Sequence, residues 1–155
     1  MRIEFRDCIK QGLLRKLVPS PEKASKGFKK AQVFLAQAKR AFDVKAYDSC
    51  LMTCYQAIFL SAKAVLFKDG YREKSHACVA RYLEEKYAKS GKIELKWIEL
   101  LDRYRDLRHD DEYNVFFFAS VKDCQELIKF ASEFIEQMEK IILQNPKKVE
   151  GGDTR

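Results

Sequence analysis

Proline and glycine are scarce in this chain, three and six in 155 residues. That is too few for the turns of an all-β fold or for a disordered segment of any length. Long apolar runs are missing as well. The longest uncharged stretch, residues 49–62, has fourteen residues, short of the ~20 that span a bilayer. No basic–apolar–small signal opens the chain, so a cytosolic location without membrane contact is expected. The five cysteines (Cys8, Cys50, Cys54, Cys78, Cys124) contain no C-x-x-C pair. His76-x-Cys78 is a conceivable ligand pair, but a zinc site needs four ligands at motif spacing. No metal or cofactor is therefore expected, and the cysteines read as buried free thiols in a reducing compartment. Acids are few at the start: residues 1–43 hold 11 Lys and Arg against 4 Asp and Glu, while the remainder is balanced. The net charge of +7 is thus local to the first elements. A basic face of that kind can attract RNA, DNA or an acidic protein, or serve solubility alone.

What the chain does have is apolar residues at helical spacing. Arg2–Leu17 reads as a short helix, and Val18-Pro-Ser-Pro21 ends it. Ala24, Phe28, Ala31, Leu35, Ala38 and Phe42 form one stripe on a helix from Pro21 to Asp43. Ala46–Lys68 is apolar nearly all round and is the expected central helix. Further helices are predicted from Ser75 to Lys89, from Ile93 to Leu107 and, capped by Ser120, to Gln144. Val115–Phe118 finds no second strand to pair with and reads as a packed connector. The expected fold is all-α: an antiparallel up-and-down bundle of four to five long helices. Residues 1–146 form one domain, with 1–18 as an N-terminal extension helix and 147–155 as a disordered tail.

The densest chemistry lies in Arg103–Tyr113, which holds three arginines, a histidine, four acids and two tyrosines. It reads as a junction between packed elements. Side chains that hold phosphate, move a proton or stack on a base meet there. The plainer reading is a solvated helix end whose charges pair locally.

Three stretches together, Tyr47–Phe67, Gly70-Tyr-Arg-Glu-Lys-Ser-His76 and Leu107-Arg-His-Asp-Asp-Glu-Tyr113, resemble the HEPN domain in its small prokaryotic, mostly archaeal branch. Phe5 and Gly12-Leu-Leu-Arg-Lys16 fit that branch's N-terminal extension, so the likeness runs from about residue 5 to 143. The resemblance implies a helical homodimer with a polar motif lining a cleft at the dimer interface. It also implies a nucleotide or RNA ligand and, in many members, a toxin role beside a minimal nucleotidyltransferase protein partner. On that pattern Arg108 is the motif arginine, Glu112 the acid and Tyr113 the tyrosine, which can itself be the target of nucleotidyl transfer. Ribonuclease members use an arginine, four to six residues, then a histidine. Arg103 and His109 satisfy that count, but Arg103 is not the motif arginine. Six positions along a helix also leave two side chains about 120° apart. Arg105, four residues before His109, shares its face better. His76, with Arg72 and Lys74, is the other candidate, and could join Arg105, Arg108, Glu112 and Tyr113 in one site for nucleotide or phosphate. The imperfect spacing favours a binding protein over an enzyme. A metal-independent endoribonuclease and a non-catalytic helical adaptor are the alternatives.

Overall fold

The computed structural model describes residues 2–144. The expected stop at Asn145-Pro146 and the tail at 147–155 lie outside these. The bundle is predominantly helical, and four long helices carry it: α2 (Pro21–Asp43), α3 (Tyr47–Asp69), α5 (Leu95–Tyr113) and α6 (Val121–Ile142). Short elements complete it: α1 (Phe5–Lys10), β1 (Leu14–Lys16), β2 (Tyr71–Glu73), and α4 (His76–Leu83), which runs on into a π-helical turn at Glu84–Ala88.

Ser20 and Ser120 cap their helices as the sequence predicts, while Ser75, the expected cap of α4, makes no side-chain cap hydrogen bond. Ser20 Oγ accepts the Lys23 amide at 3.1 Å, with Pro21 at the first helical position. Ser120 and Asp123 form a reciprocal capping box at the start of α6. Gly70 ends α3 in the left-handed conformation (φ +86°), where a Cβ would also approach the Leu17 carbonyl oxygen to 2.6 Å. Conformation and space both require glycine there. The turn lets Leu17 N donate to Gly70 O at 2.8 Å, drawing the N-terminal segment onto the end of α3.

α3 is the hub. Leu51, Cys54, Ile58, Ala62, Val65 and Leu66 are fully buried, and α2, α5 and α6 pack around it. Each such Leu, Ile or Val is worth roughly 1.5–3 kcal/mol on burial. This helix is long and apolar enough to cross a bilayer, but most of it is buried inside the fold, so a membrane span is not indicated. Trp97 and Tyr104 of α5 pack on Phe130, and Trp97 also meets Phe134, both of α6.

Several expectations are corrected. The helix expected over Arg2–Leu17 stops at Lys10. Gly12 takes φ +72° and the chain continues as β1, leaving Ile9 and Leu17 exposed. β1 pairs antiparallel with β2 in the register Leu14↔Glu73, Arg15↔Arg72, Lys16↔Tyr71. Three-residue strands are too short to display an alternating pattern, so this pairing was not legible. Cys8 and Cys78 are joined in a disulfide, so only Cys50, Cys54 and Cys124 are the buried free thiols expected. The connector at 115–118 is not a strand, but it is not packed either. Phe117 alone turns inward, and Phe116 is 90% exposed. Val121, the first residue of α6, is exposed.

Candidate functional site

Arg103–Tyr113 is not a junction. It is the last half of α5, which continues past the expected end at Leu107 to Tyr113. Beyond Tyr104 the buried stripe gives out and charged groups take over. Some charges do pair locally, as the plainer reading has it. Arg108 Nη1 donates to Glu112 Oε1 at 2.7 Å and Arg105 Nη1 to Asp102 Oδ1 at 2.7 Å.

Pairing does not account for everything around Arg108. Its guanidinium carbon lies 5.0 Å from the centroid of the Tyr55 ring, within cation–π range, and its Nε is buried with no partner. The Tyr55 hydroxyl lies 3.3 Å from Nδ1 of His76. The His76 imidazole is stacked on Phe59, with ring centroids 3.8 Å apart and planes 10° from parallel. Tyr55 and Phe59 are one turn apart on α3. Their rings share one face of α3, so α3 holds the imidazole from one side while α5 brings the arginine over. Burial depresses the His76 pKa, helped by the nearby charges of Arg108, Arg105 and Lys63 and opposed by Glu73. The imidazole is therefore neutral near pH 7. Burial raises the Tyr55 phenol to about 12, with the adjacent arginines pulling it back, so it stays protonated. The site offers a neutral imidazole, a phenol and a guanidinium with an unused donor. It can bind an oxyanion and accept a proton.

The other named residues fall in different places. His109 and Tyr113 are exposed, with ring centroids 4.7 Å apart. The neighbouring Glu112 carboxylate raises the Tyr113 phenol pKa. Arg103 is exposed, and no hydrogen bond joins it to His109 among the described residues. Arg72, opposite Arg15 in the two-stranded sheet, and Lys74 just after it are exposed. The fold thus brings together His76, Arg108, Arg105 and Glu112. Tyr113, Arg72, Lys74, Arg103 and His109 are exposed and make no hydrogen bond to these residues among the described residues.

Sequence reasoning missed Tyr55 and Phe59 as site residues. Their signal was present: two rings four apart on a helix whose other stripe already fills the core. It also missed a carboxyl pair beneath the connector. Asp48 accepts the Ala119 amide at 2.7 Å and neighbours Asp111, whose carboxyl is pushed up to about 7 by burial and by Asp48. Asp48 is correspondingly held low by Asp111 and by the Ala119 amide. The sign follows from linkage. Unfolded Asp111 ionises near pH 4 while the folded group keeps its proton to about 7, so this group's effect is a fall in stability between those values. Asp111→Asn keeps a donor to Asp48 and removes that slope. The variant should match wild type in stability at pH 4 and exceed it at pH 8 by about 1 kcal/mol after solvent screening, read as a higher melting temperature there. Parallel melting curves across that range would refute the retained proton.

A helical bundle with a cationic and aromatic cluster beside a polar helix end is the class of protein that fold and site define. The HEPN domain model matches residues 24–141, and the chain belongs to the HEPN family. It is 26% identical over 117 residues to a UPF0332 protein of Archaeoglobus fulgidus, covering 76% of this chain and 93% of that one. It is 27% identical over 112 residues to a protein of Methanocaldococcus jannaschii named "Putative toxin", covering 72% and 83%.

Proposed function

We propose that this chain is a toxin-like, nucleotide- or RNA-binding HEPN protein that works with a nucleotidyltransferase partner. The observation that carries the reading is the Arg108 guanidinium, stacked over Tyr55 next to a neutral His76 and holding a buried donor with no acceptor. A phosphate oxygen supplies that acceptor. Tyr55 and Phe59 fix the imidazole, and Arg105 adds charge from the next turn of α5. Tyr113 is exposed and is the acceptor for nucleotidyl transfer in this reading.

The test is a titration with nucleotides and short RNA at two salt concentrations. Affinity should fall with salt, and Arg108→Ala should weaken it roughly 10- to 100-fold, the worth of one charge-assisted hydrogen bond pair. Unchanged affinity in that variant, or no binding to any of these ligands, leaves the helical adaptor as the better account.

The neutral His76 favours a second reading, a metal-independent endoribonuclease with His76 as base and Arg108 on the phosphate. RNA cleavage in EDTA that survives in wild type and disappears in His76→Ala supports it. Full activity in a His76→Ala, His109→Ala double variant rules it out.

In either case two copies join through the connector, where Val115, Phe116 and Phe118 stand exposed beside the site. Phe116→Asp with Phe118→Asp should convert a dimer to a monomer in light scattering without lowering the melting temperature. A dimer that persists in this variant places the interface elsewhere.

A further inference from the structure

A separate surface feature lies where α2 crosses α3. Lys23, Lys26 and Lys30 stand on one face of α2 at helical spacing, and Lys63 joins them from α3. Together they rim a cleft of about 320 Å³ floored by Gly27, Leu60 and Phe67. Its lining has four ammonium groups and no carboxylate. Lys23 and Lys63 sit 5.8 and 5.6 Å from the Phe67 ring centroid. Lys26 meets Glu22 only in an exposed pair on its own helix, and Lys63 reaches Glu73 at 3.5 Å. Lys23 and Lys30 have no ion-pair partner among the described residues.

Gly27 adds an independent sign. It lies inside a 23-residue helix, where glycine is about 1 kcal/mol worse than alanine. Packing does not require it. A Cβ there would meet only the Ala64 methyl, at an ordinary 3.7 Å, and the backbone is not left-handed. What the missing methyl does is keep the floor of the cleft open.

Four like charges around an apolar floor repel one another, and an occupant that brings carboxylates around one apolar side chain relieves that repulsion. Single-stranded nucleic acid fits less well. Base stacking needs a free ring face, and the cleft's one ring already has two ammonium groups against it. We infer that this cleft docks an acidic peptide segment of a partner protein. One aromatic or large aliphatic side chain of that segment seats on Gly27, Leu60 and Phe67, and its flanking carboxylates meet the lysines.

The test uses the full chain and fluorescence anisotropy with three probes: labelled Glu-Asp-Phe-Glu-Asp, its Gln-Asn-Phe-Gln-Asn counterpart, and an oligouridylate. The acidic peptide should bind saturably and weaken as salt rises, and the amide peptide should bind at least tenfold more weakly. Gly27→Leu fills the floor and should weaken binding at least tenfold while the melting temperature holds or rises. Lys23→Gln with Lys63→Gln should weaken it similarly. Equal binding of the amide peptide, unchanged affinity in Gly27→Leu, or no saturation by about 1 mM peptide overturns the proposal. So does oligouridylate binding that these variants abolish when the peptide does not bind.

Discussion

Cys8→Ser lowers the melting temperature by roughly 10–15 °C. The Cys8–Cys78 disulfide closes a loop of 70 residues in sequence. On the chain-entropy account a crosslink of that span stabilises by about 4 kcal/mol, by restricting the unfolded chain. For a domain of this size each kcal/mol moves the midpoint by roughly 2–4 °C. The native contacts offer little in reserve. α1 has six residues, too few to be helical unaided, and Cys8 is its one buried side chain. Cys78 is two residues past His76 at the start of α4, so the bridge also steadies the element that carries the imidazole. Reductant should lower the wild-type midpoint by the same amount and leave Cys8→Ser unaffected, and thiol titration of the unfolded, unreduced protein should count three. A count of five, or a melting temperature indifferent to reductant, would show that the bridge does not form in solution.

The long elements were legible because their signals repeat. α2 displays its stripe over five turns and announces both ends with Ser20-Pro21 and a polar turn. α6 does the same from Ser120. Neither the strand pair nor the disulfide repeats anything. Residues 14–16 and 71–73 pair only because Gly70 turns the chain back at the end of α3, and the same pairing brings Cys8 of α1 to Cys78 of α4. Such contacts are properties of the assembled chain. The site divides along the same line. Arg108, Glu112 and His76 stood out by residue type and motif. Tyr55 and Phe59 were hidden because an aromatic pair on an apolar helix looks like core, and they do belong to the core on one side. Arg103 and His109 satisfied a spacing rule, but helix geometry sets the two side chains about 120° apart.

Asp102→Ala should cost about 3–5 kcal/mol, because it strands a charge that water cannot reach. Asp102 accepts from Arg81 and from Arg105 and lies 3.8 Å from Arg2. Arg81 is 1% exposed, with Nη1 already unpartnered, and keeps only Glu84 at 3.0 Å once Asp102 is gone. An exposed pair such as Lys26–Glu22 is worth about 0.3–0.5 kcal/mol, so the effect is one of burial rather than of ion pairing as such. Arg105→Ala therefore costs much less, since Asp102 retains Arg81. Removing both charges is the discriminating control. Arg81→Met with Asp102→Leu should recover most of the loss, because hydrophobic groups of similar volume replace a buried pair at little net penalty. Loss below about 1 kcal/mol in Asp102→Ala would mean that water reaches Arg81 in solution. The functional consequence runs the other way. Arg105 is released from its carboxylate one turn from Arg108, so its uncompensated charge should lower the His76 pKa further and tighten oxyanion binding. A less stable protein that binds phosphate better would show that Asp102 restrains the site while holding the fold.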